Sequence, residues 1–242
     1  MDPISIAAAS GLRSRMESLD LLANNLANAS TSGYKVDREF YSLYASAEAS
    51  QAGSLSTLPV IERQWTDFSQ GLLQPTGNPL DLALSGRGFF SVTGPSGPML
   101  TRNGSFQTSA DGTLVTTEGY PVRGAEGKPI KTQPSMPLEV GVDGVLRQGG
   151  EEINRLEIRD VKDLSALAKH GNSYFRIPDG AAAQPATPQV QQGKIENSNV
   201  ATAESAVRLV SVMRQFEMLQ KAISLAGEMN RRAVEEVAKV NP

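Results

Sequence analysis

The sequence predicts an α+β protein: a discontinuous helical domain of coiled-coil type, formed by both chain ends, and a central antiparallel β domain. Apolar residues recur at helical spacing at the start of the chain and again over its last part. Between these segments, turn signals separate short stretches rich in Thr, Val, Leu and Phe. Each terminal helix has an apolar stripe to bury, so the arrangement favours a subunit of an assembly over an enzyme.

The same patterns divide the 242 residues into four kinds of segment. They predict a terminal helical assembly domain at 1–34 and 196–242, an extended connecting region at 35–79, a central β domain at 80–178 and a return linker at 179–195. The return linker is inferred from prolines among alanines and glutamines, a composition that favours an extended, exposed chain.

The first predicted helix begins at Asp2 and Pro3. The Asp2 side chain can accept hydrogen bonds from free N–H groups at the helix start, and Pro3 fits the first helical position because its missing N–H costs nothing there. A polar cluster at 28–33 ends the helix, since its side chains favour local hydrogen bonds and its last residue, glycine, accepts positive φ. The apolar stripe of this helix includes Leu12, Leu19 and Leu26.

The second predicted helix runs from about 200 to 240, with apolar spacing close to the seven-residue repeat of a coiled coil. Charged pairs four residues apart support it, among them Glu217 with Lys221 and Glu228 with Arg232. We expect it to pack on the first helix and on neighbouring subunits. The positions predicted to form this seam are Val207, Val210, Met213, Phe216 and Leu219.

The middle of the chain carries the turn signals. Residues 45–58 are rich in Ser, Ala and Gln and predict a linker or extended arm. From residue 80 onward, dipeptides such as Asn103-Gly104 and Asp143-Gly144 are suited to tight turns between antiparallel strands. These signals predict a compact antiparallel β domain.

Composition excludes several kinds of function. The chain has no cysteine, which excludes disulfides and thiolate chemistry, and its net charge of -3 gives no basic surface for nucleic acid. No apolar run is long enough for a transmembrane helix, and no cleavable signal peptide is visible, so export by another route stays open. The one histidine, His170, is interpreted as an exposed loop residue. No cofactor or metal site is predicted.

Four carboxylates are candidates for acid–base catalysis. Asp111, Glu118 and Asp143 each precede glycine, where turn chemistry explains them, and Asp81 has no second catalytic feature beside it. We interpret all four as structural residues.

Three motifs in order carry a resemblance that covers nearly the whole chain. LANNLANASTSGYK at 22–35 resembles the end of the N-terminal helix in the flagellar rod and hook family. NPLDLALSGRGFF at 78–90 and LTRNGSFQTSADGTLVTTEGYPV at 100–122 are similar to the central β block of that family, and GKIENSNVATAESAVRLVSVMRQFEMLQKAI at 193–223 is similar to its C-terminal helix. Residues 214–221 and the chain length look more like the proximal rod type than the distal rod or hook types, which stay open as alternatives.

The resemblance implies a structural subunit of the flagellar basal-body rod, exported without a cleavable signal through the flagellar type III apparatus. Its implied partners are its own copies and the proximal and distal rod subunits, in a rod that spans the periplasm. It implies that Asn24, Asn25, Asn28, Gly33, Tyr34 and Lys35 shape the turn after the first helix. It likewise implies that the start of the second helix is shaped by Asn197, Ser198, Asn199 and Val200. Plain helix capping is the simpler explanation of the asparagines. A β-rich binding module and a wall-lytic enzyme are the rival functions.

Overall fold

The computed structural model describes residues 3–45, 57–171, 173–178 and 183–240. The cap predicted at Asp2 and most of the linker predicted at 45–58 lie outside these residues. Helix α1 is Pro3–Ala27 and helix α2 is Thr202–Val240, close to the bounds that the apolar spacing predicts. A short 3-10 helix, Leu164–Ala166, begins where the Asp163 side chain accepts a hydrogen bond from the Ser165 amide.

Between the two helices, the described residues form short strands, and their pairings are antiparallel. The strands are β1 Asp37–Ala45, β2 Thr57–Thr66, β3 Leu73–Pro75, β4 Leu82–Ser85, β5 Phe89–Gly94, β6 Gly97–Thr101, β7 Phe106–Thr108, β8 Leu114–Thr116, β9 Glu139–Val140, β10 Val145–Gln148, β11 Glu151–Arg155, β12 Ile158–Val161, β13 Ala168–His170, β14 Tyr174–Arg176, β15 Ala183–Pro185, β16 Gln189–Gln192 and β17 Lys194–Glu196. The predicted α+β class, with terminal helices and a central antiparallel region, is confirmed.

The chain divides into two compact units. The helical unit comprises Met1–Ala27, Asp37–Thr66 and Ala201–Pro242, and the β unit comprises Asn28–Val36 and Asp67–Val200. Residues 37–66, part of the predicted connecting region, thus group with the helices.

Within the helical unit, β1 and β2 form a two-stranded sheet in which Asp37 pairs with Thr66 and Ala45 pairs with Thr57. Helix α1 contacts α2 and both of these strands. This part of the predicted connecting region is therefore paired rather than extended and unpaired, because a long antiparallel ladder satisfies its backbone hydrogen bonds.

The β unit contains one large sheet and several smaller ones. The six-stranded sheet has the order β13-β14-β6-β5-β12-β15, and β11-β10-β9 form a three-stranded sheet. Two-stranded sheets join β16 to β4, β17 to β3 and β7 to β8. His170, expected in an exposed loop, is instead the half-buried last residue of β13, where it pairs with Tyr174.

Two hydrophobic clusters form the core of the β unit. The larger one gathers side chains from most of its strands, including the edge-to-face pair Phe90 and Phe106, whose ring centroids are 5.2 Å apart. The smaller one is centred on Phe89 and Phe175, and the ring of Phe68 lies edge-to-face with Phe89 at 5.7 Å between centroids and tilted against Phe175 at 5.0 Å. Both are built by strand residues alternating toward the interior.

The segment predicted as a return linker, 179–195, contains paired strands where it is described. Residues of β16 pair with β4, and residues of β17 pair with β3. Backbone N–H and C=O groups form these ladders, so the glutamine-rich composition of the segment does not indicate them. Among the side chains of this segment, Val190 is buried in the larger core cluster.

Candidate assembly surface and chain-crossing cluster

Helix α1 buries a face made mostly of small and polar residues, with one leucine. Its buried positions recur at steps of three and four, as one side of a helix requires: Gly11, Ser14, Ser18, Leu22 and Asn25. The predicted apolar residues Leu12, Leu19 and Leu26 lie on the neighbouring side and are half-buried. Small side chains are favoured because a Cβ placed on Gly11 would already lie 3.6 Å from Cδ1 of Leu219.

Helix α2 has an inner face with a seven-residue repeat. Apart from the half-buried Ala206 and Gln215, its half-buried and buried positions follow alternating steps of four and three among the described residues, and Val212, 5% exposed, is the most buried of them. These positions are Ser205, Leu209, Val212, Phe216, Leu219, Ile223 and Ala226. This regular pattern is the seam with which α2 packs within its own chain.

The predicted seam of α2 is divided between faces. Phe216 and Leu219 lie on the inner face, whereas Val207, Val210 and Met213 are exposed. The reason is geometric: steps of three fall about 60° short of a full turn, so five apolar residues at that spacing wind around the helix. Leu209 and Val212, which the seven-residue repeat marks, were missed.

A second apolar stripe lies on the outer face of α2. Val207 is 73% exposed, Met218 is 61% exposed and Leu225 is 60% exposed. Near the start of this stripe is an open groove of about 590 Å³. Its lining residues are Ala206, Val207, Val210, Ser211, Arg214, Gln215 and Met218. The Oε1 atom of Gln215 is buried, and it has no hydrogen-bond partner among the described residues.

A buried carboxylate links the elements of the helical unit. Glu39 on β1 has a side chain only 2% exposed, and it accepts a hydrogen bond from Ser18 of α1 at 2.8 Å. Arg208 of α2 forms an ion pair with the same carboxylate at 3.3 Å. A buried charge is costly unless it is paired, so these contacts hold α1, β1 and α2 in register. Sequence reasoning missed both Glu39 and Arg208, which lie 169 residues apart.

Asn25 joins α1 to the start of β1. Its side-chain amide donates to the Asp37 carbonyl at 2.8 Å, and its side-chain oxygen accepts from the Asp37 amide at 3.0 Å. The Asn25 side chain therefore acts as a strand partner rather than as a helix cap. Asn24 points to the exposed side of the helix. Asn28 lies in the following turn, where its carbonyl accepts from the Thr31 amide at 3.1 Å.

Within the β unit, Gly33 permits two backbone segments to meet. Its φ is 69°, and a Cβ there would lie 2.2 Å from the amide nitrogen of Asn103. The Gly33 amide donates to the Glu196 carbonyl at 2.7 Å. Tyr34 beside it is fully buried, with the Lys169 ammonium 4.0 Å from its ring centroid. The predicted turn residues thus occupy a tightly packed site.

Lys35, Glu196 and Arg102 form a buried ionic network. The Lys35 ammonium lies 2.5 Å from one Glu196 oxygen, and the Arg102 guanidinium lies 3.1 Å from the other. Burial lowers the pKa of Lys35 from its usual 10.5, and the Glu196 carboxylate opposes that shift. Removing one partner of such a network leaves a buried uncompensated charge, which costs about 3–5 kcal/mol.

Asn199 binds two segments of backbone that are far apart in sequence. Its side-chain oxygen accepts from the Val36 amide at 2.8 Å, and its side-chain nitrogen donates to the carbonyls of Asp67 at 2.8 Å and Ser69 at 3.1 Å. We call Lys35, Arg102, Glu196 and Asn199 the crossing cluster. The neighbouring predicted residues have smaller roles: Asn197 donates to the Gln74 side chain, and Ser198 accepts from the Val200 amide.

The candidate catalytic carboxylates are engaged in local structure. Asp111 accepts hydrogen bonds from Ser109 and Thr113, which lower its pKa to about 2. Glu118 accepts from Thr117 and from the Tyr174 hydroxyl, and Asp143 accepts from the Val145 amide. No three His, Asp or Glu side chains in the described residues are arranged to hold a metal ion. Within the same residues, neither helix is both long and apolar enough to cross a membrane.

Three family profiles match successive parts of the chain. Their descriptions are "Flagella basal body rod protein" for residues 7–35, "Flagellar hook protein FlgE/F/G D1 domain" for 83–149, and "Flagellar basal body rod FlgEFG protein C-terminal" for 191–236. The order of the matches follows the terminal helices and the β unit between them.

Curated relatives match the chain over most of its length. The flagellar basal-body rod protein FlgF of Caulobacter vibrioides is 35% identical over 227 residues, which cover 92% of this chain and 93% of the relative. FlgF of Mesorhizobium japonicum is 31% identical, with 82% and 83% covered. The rod protein FlgG of Buchnera aphidicola subsp. Schizaphis graminum is also 31% identical, with 90% and 94% covered.

The fold and these matches define a structural protein of the bacterial flagellum. The chain belongs to the FlgE/F/G family of flagellar rod and hook proteins, which confirms the resemblance carried by the sequence motifs. The FlgF relatives agree with the proximal rod type indicated by residues 214–221. Membership in this family also confirms that the chain is a structural protein rather than an enzyme.

Proposed function

We propose that this chain is a subunit of the flagellar basal-body rod that polymerises through its helical unit. It packs against its own copies and against other rod subunits. One observation carries the proposal: α2 has an outer apolar stripe in addition to the inner face that it uses within its own chain.

The outer stripe is unsuited to remain in water. Val207, Met218 and Leu225 are large apolar side chains that are mostly exposed on one side of a single helix. Apolar surface of this kind, in contact with polar residues such as Arg214 and Gln215, is typical of a protein–protein interface. Burial against a neighbouring subunit would remove it from water at about 25 cal/mol per Å².

A two-faced helix also fits a repeating assembly. One face closes the helix onto its own chain, and the other is free to contact a different surface on the next subunit. Such a heterologous contact, repeated with a rotation and a rise, generates a helical filament. The filament would act mechanically, transmitting torque and enclosing a channel for exported subunits.

The proposal extends to the wider context of the subunit. We place it at the proximal end of a rod that crosses the periplasm, after export through the flagellar type III apparatus. The absence of cysteine is compatible with passage into an oxidising compartment. Its partners would not include nucleic acid, and it would not insert into the membrane. The proposal also includes the predicted assembly residues, among them Leu12, Leu19 and Leu26, as residues that hold the helical layer of the rod together.

The proposal is tested by placing charge on the outer stripe. In a strain lacking this gene, the double variant Met218→Glu and Leu225→Glu should fail to restore rods and motility. The purified monomer should keep its helical circular dichroism, since both side chains are exposed and glutamate is a good helix former.

The matched control is Gln220→Glu with Ser224→Glu, which adds the same charge to exposed positions on another side of α2. It should restore motility. Electron microscopy of isolated basal bodies provides the readout. Complete rods built from the outer-stripe variant, or equal failure of the control, would contradict assembly through this face.

A further inference from the structure

The chain passes four times between the two units, and three of these passages meet in the β unit. The passages fall after residues 27, 36, 66 and 200. On the side of the β unit, the Val36 carbonyl accepts a hydrogen bond from the Asp67 amide at 2.9 Å. Segments that are far apart in sequence therefore begin and end at one place.

Asn199 binds these segments together. Its one side chain contacts Val36, Asp67 and Ser69, using the amide oxygen as an acceptor and the amide nitrogen as a donor. Its backbone amide also donates to the Tyr34 carbonyl at 3.4 Å. A side chain with both kinds of group is required, because the passages present both an N–H and carbonyl oxygens.

Glu196 makes a second set of contacts in the crossing cluster. Its carboxylate accepts from Lys35, from Arg102 and from the Gly71 amide at 3.0 Å, and its backbone carbonyl accepts from the Gly33 amide. The Lys35 ammonium in turn donates to the Ser69 carbonyl at 2.7 Å. The side chains of Lys35 and Glu196 are fully buried, so these contacts are protected from water.

Within the part of the chain that the structure describes, the hydrogen-bond and ion-pair partners of the crossing cluster all belong to the β unit. We propose that the cluster closes the β unit at the points where the chain leaves it, so that this unit keeps its fold when the helical unit unfolds. Asn199 and Glu196 are its positioning residues. The inference does not depend on the rod assignment, because it concerns the folding of the isolated chain.

Hydrogen exchange on the full-length protein tests the proposal. At urea concentrations that remove protection from α2, peptides covering 33–36 and 67–75 should remain protected in the wild-type chain. The variant Asn199→Ala loses four side-chain hydrogen bonds, and those peptides should then exchange about tenfold faster or more, while exchange of α2 stays unchanged.

Asn197→Ala is the matched control, since it removes the same side chain two residues away, where the partner is the exposed Gln74 side chain. It should leave peptides 33–36 and 67–75 protected. Glu196→Gln keeps the shape of the side chain but removes its charge. It should lower the urea concentration at which the β unit unfolds without changing the concentration at which α2 loses protection.

Two results would overturn the inference. One is loss of protection in α2 and in the crossing segments at the same urea concentration. The other is equal exchange in the Asn199→Ala and Asn197→Ala variants. If Glu196→Gln fails to fold, the two asparagine variants still decide the question. Failure here would leave the rod proposal intact, because that proposal is read out in basal bodies.

Discussion

Two asparagine side chains in this protein hydrogen-bond to backbone N–H and C=O groups, as a neighbouring strand would. Asn25 pairs with the Asp37 backbone in both directions, and Asn199 pairs with Val36 and Asp67. Helix capping, the simpler explanation, would need only an acceptor. These two sites use donor and acceptor together, so aspartate or leucine, although similar in size, would leave a backbone group unpaired.

Gly33 gives a prediction at this scale, with Gly77 as its control. Both glycines have positive φ, near 70°, but a Cβ on Gly77 meets nothing within 4 Å, whereas one on Gly33 meets the Asn103 backbone at 2.2 Å. Gly77→Ala should lower the free energy of unfolding of the β unit by about 1–2 kcal/mol, the cost of the left-handed conformation. Gly33→Ala should cost more, because backbone atoms cannot move away from the new methyl group.

Urea unfolding of both variants measures the difference. The fluorescence of the one tryptophan, Trp65, reports on the helical unit, and tyrosines occur in both units, so hydrogen exchange of peptides from the β unit should follow its unfolding. Equal destabilisation by the two substitutions would show that conformation alone matters at Gly33 and that the close approach to Asn103 is relaxed in solution.

At the scale of elements, α2 presents two different faces at different angular positions. The inner face packs within its own chain, and the outer stripe is proposed to contact a neighbouring subunit. The inner face repeats every seven residues, while the outer stripe contains Val207, Met218 and Leu225. Valine occurs on both faces, which permits the same substitution to be compared in both environments.

Val212→Ala and Val207→Ala should therefore have different effects. Val212 is buried, so its truncation should destabilise the helical unit by about 1 kcal/mol, after allowance for the better helix propensity of alanine. Val207 is 73% exposed, so its truncation should be neutral or slightly stabilising in the monomer. Thermal melts followed at 222 nm provide the measurement. Equal melting temperatures would mean that α2 is not packed through its seven-residue repeat in solution.

The sequence could predict the existence of α1 and α2 but not all of their contacts. Long periodic segments define helices well, because the apolar spacing is local. The choice of face depends on partners, and in α1 the buried face consists, apart from Leu22, of small and polar residues such as Ser18 rather than the predicted leucines. The resemblance indicated Lys35 and Asn199, but the pairings of the crossing cluster could not be predicted for the same reason: Lys35 and Glu196 lie 161 residues apart, and nothing local to either one indicates a partner.

At the scale of the whole chain, the two helices differ in length. Helix α1 has 25 residues and α2 has 39, so α2 is 14 residues longer, about 21 Å at the helical rise. Among the positions of α2 whose burial is described, the half-buried ones end at Ala226, and residues 227–232 are all exposed. Part of α2 therefore extends beyond the region that its own chain covers.

This exposed end gives a prediction about assembly. A chain truncated after Ala226 retains every half-buried or buried position of α2 whose burial the structure describes, so the monomer should melt within a few degrees of the full-length protein. The lost segment includes Met229, which is mostly exposed and continues the outer stripe. We therefore expect the truncated chain to leave rods incomplete in a strain lacking the gene, as judged by electron microscopy of basal bodies. Normal rods would show that the end of α2 takes no part in assembly. A large loss of monomer stability would instead place the end of α2 in the packing of its own chain.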